Sequence, residues 1–274
     1  MPELPEVETV VQTIRPRLVG VTIAELEVID PLVIRMPDLQ AFREGVAGGR
    51  IVAVLRRGKH IMVELESRPY LMIHLGMTGR LILSDSPEPP EYARVRFGLS
   101  GGSVLWYADL RKFGRLCLVD DAGTFLERLG PEPLAADLDD EAFRALLAGR
   151  RRPIKSLLLD QSAIAGLGNI YADEALYLAR VHPTTPAGSL DEPAAARLLS
   201  AIRTVLHQGI ANRGTTISDY VDGRGEAGGN QECLQAYGRA GEPCLRCGAP
   251  MQRMRLGGRS ACYCPVCQPV PDQD

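Results

Sequence analysis

The segment CLRCGAPMQRMRLGGRSACYCPVC, residues 244–267, holds two C-x-x-C pairs, Cys244/Cys247 and Cys264/Cys267, with sixteen residues between them. Four thiolates at this spacing suit closed tetrahedral zinc coordination, the structural type that leaves no position for a substrate. The alternative is a redox or chance C-x-x-C, and two pairs in one short segment weigh against it. Cys262 offers a fifth thiol, but the paired knuckles favour Cys264. Between the pairs the sequence predicts a hairpin: Met251–Leu256, a Gly257-Gly258 turn, then Arg259–Cys264. So short a module has few apolar residues, and one structural zinc ion is expected to contribute directly to its folding. Cys117 and Cys233 read as packing residues.

Outward from that module the chain reads as ordinary globular protein. Its 274 residues, 45% hydrophobic and 24% charged, suffice for a substantial core and suggest two modest domains with a small appendage. No apolar run approaches the roughly 18 residues a membrane helix needs. The acidic N-terminus lacks a basic, then apolar, leader, so a cytosolic location is expected. The net charge of −3 argues weakly against a nucleic-acid partner. Its distribution matters more, because phosphate attraction is screened beyond about 10 Å. Arg50, Arg56, Arg57 and Lys59 form an acid-free basic run, and residues 229–268 carry five Arg against two Glu.

Residues 3–18 predict an amphipathic helix, with Val7, Val10, Val11, Ile14 and Leu18 at helical spacing and Gly20 as the stop. Short β-rich runs follow at Thr22–Ile29, Arg50–Leu65, Tyr70–Met77, Arg94–Leu99, Val104–Ala108 and Arg115–Val119. They predict an antiparallel β-sandwich carrying the N-terminal helix. Gly130-Pro131-Glu132-Pro133 reads as a linker. Helices are predicted at Asp139–Ala148, Pro153–Asp160, Asn169–Ala179 and Glu192–Ile210, with a short one near Thr216–Val221. Gly166 and Gly168 mark a tight turn between two of them. The fold class is therefore α+β and multidomain: a sandwich domain over 1–130, a helical domain over 131–228, and a zinc hairpin with a short tail over 229–274.

Several motifs occur in one order along the chain: MPELPEVET, RRGKH, HLGMTGR, DLRKFGR, LGPEPL, GLGNIYADEAL and the cysteine-rich ending. Together, from Met1 to Gln268, they resemble the formamidopyrimidine-DNA glycosylase family of helix–two-turns–helix base-excision repair enzymes. PELPE resembles this branch, whereas the endonuclease VIII branch opens PEGPE. The resemblance implies a bifunctional glycosylase and AP lyase that removes oxidised purines from duplex DNA in bacterial cytoplasm. One chain suffices for one lesion, so a monomer is expected, and no membrane partner is.

The resemblance also implies roles for particular residues. Pro2, freed by removal of Met1, is the nucleophile; an α-amino group titrates near 8, against about 10.4 for lysine. Glu3 is the neighbouring acid–base group, and Glu6 supports it. On residues alone, Pro2 is a helix starter and the acids oppose the helix dipole. Lys59 and Arg259 count among the catalytic residues and meet phosphates around the lesion. Lys155 and Asn169 match backbone-binding positions; unaided, each reads as a surface residue or, for Asn169, an N-cap. Met77, Arg111 and Phe113 resemble the set that fills the void left by an extruded base, where unstacking costs a few kcal/mol. The motif DLRKFG departs from the family's common DPRRFG, with Leu110 for a proline and Lys112 for an arginine. His60, His74, His182 and His207 are not at metal-ligand spacing.

The segment GRGEAGGNQ, residues 223–231, matches the loop that closes over the flipped purine in the family. There an aromatic often follows the Gly pair, whereas here Asn230 follows Gly229. Two alternative readings follow: an endonuclease VIII-like glycosylase for oxidised pyrimidines or hydantoins, and a non-catalytic damaged-DNA binding protein.

Overall fold

The computed structural model describes residues 1–66 and 69–270. The chain forms two compact units, Met1–Glu127 with Gly209–Gln231, and Arg128–Gln208 with Glu232–Asp274.

The first unit opens with α1 (Leu4–Leu18), whose Val7, Val10, Val11, Ile14 and Leu18 form one buried stripe. There follow β1 (Ile23–Val28), β2 (Ile34–Met36), α2 (Leu39–Val46), β3 (Ile51–Arg57), β4 (His60–Leu65), β5 (Tyr70–His74) and β6 (Gly79–Ser84). The set closes with β7 (Ala93–Leu99), β8 (Val104–Asp109), β9 (Arg115–Val119) and α3 (Ala122–Leu126). One sheet has the order β2-β9-β5-β4-β3 and the other β1-β7-β8-β6. Ile61, Val63, Leu71, Ile73 and Leu116 of the first join Leu81, Val95, Phe97 and Leu105 of the second in one core with the α1 stripe. This is the expected sandwich carrying its helix. The five-stranded sheet is mixed rather than wholly antiparallel, because β2 pairs parallel to β9.

Strand period 2 turns the alternate side chains of that sheet to its other face. His60 lies opposite His74, His74 opposite Arg115, and Met72 opposite Cys117. Met72 and Cys117 pack there with Ala122 and Phe125 of α3. Cys117 is thus a packing residue, whereas Cys233 is exposed.

The single run read at Arg50–Leu65 is a hairpin, β3 and β4, turning at Gly58-Lys59 with Gly58 at φ 56°. β2, α2 and β6 have no counterpart in the sequence reading. The α2 signal was present all the same, since Asp38 caps the helix by accepting from Gln40 and Ala41 N–H. No helix forms over 216–221. Gly214 at φ 82° starts the segment, and Tyr220 plunges into the core with its hydroxyl shared between the carbonyls of Glu6 and Arg213. Tertiary anchoring overrides a weak local preference in the run Thr215-Thr216-Ile217.

The second unit carries α4 (Asp140–Leu147), α5 (Ile154–Leu158), α6 (Asn169–Ala179) and α7 (Glu192–Ala211), whose last three residues belong to the first unit. Gln161 organises the turns between α5 and α6: its amide donates to the carbonyls of Leu159 and Leu167 and accepts from Gly166 N–H. Gly130-Pro131-Glu132-Pro133 is packed rather than loose, with Gly130 N–H on the Gln161 carbonyl and Ala165 N–H on that of Pro131. The hairpin β10 (Gln252–Leu256) and β11 (Arg259–Tyr263) turns at Gly257-Gly258, at φ 56° and 78°. Two successive positive φ values make this a mirror-image turn that only such residues enter cheaply.

Candidate active site and nucleic-acid interface

At the head of α1, Pro2 and Glu3 are buried and Met1 is half exposed. Glu3 is the extended residue before the helix, and its N–H donates to Glu6 Oε2 at 2.8 Å. The other oxygen of Glu6, itself 1% exposed, accepts from Thr215 N–H at 2.7 Å. One carboxylate thus bolts the N-terminus to the 215–231 loop.

That loop is held throughout. Asp222 accepts from Arg224 and Glu226 N–H and is paired with Arg213. Gly228 N–H donates to Thr216 Oγ1. Asn230, in place of an aromatic, is 3% exposed: its Nδ2 donates to Thr215 Oγ1 at 2.9 Å, and its Oδ1 accepts from Asn212 at 3.1 Å. The departure from the family pattern is therefore a buried polar tie.

Met77 lies in the turn after β5, not on the strand, and is 42% exposed; Phe113 is 51% exposed. The structure brings these two together with Arg111. The Arg111 guanidinium lies 4.5 Å over the Phe113 ring and 3.4 Å from Met77 Sδ. Two glycines allow it. A Cβ on Gly76 would stand 2.5 Å from Gly114 N, and one on Gly114 would strike the Tyr107 hydroxyl. Lys112, at φ 56°, turns outward to Asp30 at 2.7 Å, and that hydrogen bond holds the Asp30 carboxyl below its ordinary range.

Lys59 stands in the β3–β4 turn rather than on a strand and is largely buried. Beside it, on the outer face of the five-stranded sheet, a cavity of about 490 Å³ is lined by Arg35, His60, His74, Arg115 and Phe125, among others. Burial brings His60 down to about 4 and His74 to about 3, helped by neighbouring positive charge. Both rings are neutral at pH 7. The unfolded histidines protonate near 6.5, so the unfolded chain takes up more protons below that pH, and stability falls as pH drops from 6.5 toward 3. Each histidine is expected to cost about 2 kcal/mol between pH 7 and 5. Urea melts of the protein and of a His60→Gln/His74→Gln variant check this; the variant loses less stability over that interval.

In the second unit, Lys155 is fully buried. Its ammonium is 2.6 Å from Asp173 Oδ1 and donates to the Ser260 carbonyl, so it faces protein partners rather than the open surface that the residue alone suggested. Asp173 Oδ2 accepts from Cys262 N–H at 3.1 Å. Burial raises the Asp173 carboxyl to about 6, still ionised at neutral pH beside its ammonium. The adjacent Glu174 accepts from the N–H groups of Gln235, Ala236 and Tyr237. Two successive carboxylates of α6 thereby hold the hairpin and its lead-in.

Asn169 is the first residue of α6, but Gly168 is the N-cap. The Asn169 Oδ1 is buried with no hydrogen-bond partner among the described residues, so the side chain does not cap the helix. Arg259 opens β11, exposed, directly after the turn.

The four thiols converge. Cys244, Cys247, Cys264 and Cys267 place their sulfurs within 4.8 Å of one another, with 3.9 Å from Cys244 to Cys267 and 3.5 Å from Cys247 to Cys264. Four Zn–S bonds of about 2.3 Å in a tetrahedron need sulfur separations near 3.8 Å. The set fits one structural zinc, and Cys262, on the Asp173 side, is outside it.

Sequence reading passed over Thr78, Asp109, Asp173, Glu174 and Thr215. A usable signal existed for Asp109 alone, a carboxylate directly ending a strand of six buried residues. For the others, partners distant in sequence supply the meaning.

Family models match the chain in order. The formamidopyrimidine-DNA glycosylase N-terminal domain covers residues 1–116, the H2TH domain of the same enzymes 129–221, and the zinc finger found in FPG and IleRS 241–270. Sandwich, helix–two-turns–helix unit and four-cysteine hairpin define a zinc-containing DNA glycosylase. Among curated relatives, the formamidopyrimidine-DNA glycosylase of Pelotomaculum thermopropionicum is 48% identical over 98% of this chain and 100% of its own. That of Moorella thermoacetica is 52% identical over 93% and 95%. The chain belongs to the formamidopyrimidine-DNA glycosylase family. Solved structures agree: MutM (FPG) of Thermus thermophilus has TM-score 0.89 at 41% identity, covering 99% of this chain and 100% of that one. A Lactococcus lactis FPG mutant in complex with a Fapy-dG containing DNA has TM-score 0.92 at 36% identity, covering 98% and 100%.

Proposed function

We propose that this DNA glycosylase is bifunctional, excising oxidised purines from duplex DNA and cutting the strand at the abasic sugar through a Schiff base on Pro2. The observation that carries the reading is the α1 head, where Glu6 joins Glu3 N–H to Thr215 N–H and so fixes Pro2 and Glu3 beside an ordered loop. Relatives support the substrate class: solved complexes hold Fapy-dG, carbocyclic 8-oxo-G and an abasic site in DNA.

Once Met1 is removed, the unprotonated Pro2 nitrogen attacks C1′, and the base departs with the C1′–N bonding pair and takes up the proton that Pro2 gives up. Glu3 then protonates the ring oxygen as the C1′–O4′ bond breaks and the nitrogen lone pair forms the C1′=N bond. A secondary amine yields an iminium, a fixed positive charge that acidifies the C2′ proton. Loss of that proton expels the 3′ phosphate, a second elimination expels the 5′ phosphate, and water releases the sugar from Pro2. Lys59 and Arg259 grip the flanking phosphates, which position without reading sequence. Met77, Arg111 and Phe113 fill the gap left by the extruded base, Arg111 facing the orphaned partner. The 215–231 loop offers backbone N–H groups to the flipped purine.

Borohydride trapping tests this. With 8-oxoguanine opposite cytosine, a covalent protein–DNA adduct mapping to Pro2 is expected, and Pro2→Gly lowers it at least 100-fold. An adduct on a preformed abasic site alone keeps the lyase and overturns the lesion assignment. An adduct with an oxidised pyrimidine instead indicates the endonuclease VIII-like range. No adduct on any duplex, with Met1 shown absent by intact mass, indicates a binding protein.

A further inference from the structure

The wedge of Met77, Arg111 and Phe113 sits on two loops that share no covalent neighbour, and one buried pair of side chains joins them. Asp109, the last residue of β8, is fully buried, and Thr78 is nearly so. Thr78 Oγ1 donates to Asp109 Oδ1 at 2.5 Å and in turn accepts from Arg111 N–H at 3.1 Å. Asp109 Oδ1 also receives Arg111 N–H at 3.2 Å, while Oδ2 receives Gly114 N–H at 2.9 Å and the Tyr107 hydroxyl at 3.2 Å. Arg94 Nε holds the Asp109 carbonyl at 2.9 Å.

We infer that Thr78 and Asp109 are positioning residues for base extrusion, locking the Met77 turn and the 110–114 loop into one preformed wedge. Thr78 is the neighbour of Met77, and the Asp109 carboxylate takes the backbone N–H groups at both ends of Arg111–Gly114. The Thr78 hydroxyl ties the Met77 turn to both the carboxylate and Arg111 N–H, so its loss frees that turn, while Asp109 keeps the N–H groups of Arg111 and Gly114. Asp109 Oδ1 would then lose its shortest donor in a fully buried site, where a lost hydrogen bond costs more than at the surface. Preforming the wedge confines its ordering cost to folding, before DNA arrives. The inference rests on the proposed role of Met77, Arg111 and Phe113.

Thr78→Val keeps shape and removes the hydroxyl; Thr78→Ser keeps the hydroxyl. Each full-length variant is assayed by single-turnover excision from an 8-oxoguanine:cytosine duplex and by borohydride trapping on a preformed abasic site. Fluorescence of 2-aminopurine beside the lesion reports unstacking. Thr78→Val is expected to lower excision and the fluorescence rise by about 10- to 100-fold, since small misplacements cost that much. Abasic trapping changes less than threefold, because no base remains to be unstacked, and Thr78→Ser restores excision. Wild-type excision by Thr78→Val overturns the inference. So does equal loss in Thr78→Ser, or a parallel loss of abasic trapping, either of which signals a general folding role. Met77→Ala separates the two levels: if it leaves the fluorescence rise intact, the wedge itself is wrong; if it abolishes the rise and Thr78→Val does not, only the positioning role fails.

Discussion

Cys264→Ser is expected to release zinc and unfold the 244–267 hairpin, with DNA binding weakened by at least tenfold. Four-cysteine sites of this kind contribute on the order of 10 kcal/mol of metal-binding free energy, and in a short module that energy is folding energy. Beyond the sulfurs, the module's buried apolar groups are few, chiefly Met251 and Ala236 packed against Tyr177. A β10–β11 hairpin alone is marginal in water. Arg259 directly follows the turn, so its placement depends on the metal at the hairpin's far end. Zinc content by atomic absorption and affinity by anisotropy on a lesion duplex check this. Full zinc content with unaltered affinity would sink it.

Asp173→Asn is expected to destabilise the second unit by about 3–5 kcal/mol, because it strands a buried ammonium. Lys155 is fully buried and its charge is balanced by Asp173 at 2.6 Å. The same substitution places an amide, half donor, where Oδ2 now accepts from Cys262 N–H. The effect therefore reaches β11 and Arg259 without touching a zinc ligand. Urea unfolding followed by far-UV circular dichroism measures the loss. A Lys155→Met/Asp173→Leu double variant, which removes both charges, recovers most of it; a double variant as unstable as Asp173→Asn would refute the stranded-charge explanation.

How much was legible beforehand depends on the range of the interactions concerned. The α1 stripe, the run at Asn169–Ala179 and the Gly257-Gly258 hairpin were readable because each is decided within a few residues, by periodicity or by a turn only glycine enters easily. The four zinc ligands were readable because two knuckles of fixed spacing carry nearly all the geometry, leaving only the choice between Cys264 and Cys262. By contrast, Lys155 looked like a surface cation until Asp173 and the Ser260 carbonyl, 105 residues away, enclosed it. The β-rich run read at Tyr70–Met77 placed Met77 at a strand end, and it is an exposed turn residue beside Gly76, which packs against Gly114 of the other loop.

By itself the sequence determined the helix-carrying sandwich, the helix–turn–helix pattern, the zinc hairpin and the order of the family motifs. All of these rest on local periodicity, turn chemistry and ligand spacing. Only the tertiary structure decided that Glu6 bridges the N-terminus to Thr215, that Asn230 is buried and tied to Thr215, and that Thr78 and Asp109 join the wedge loops. The physical reason is common to all three. A buried polar group must find its partner, and which partner it finds is set by chain segments that meet only after folding.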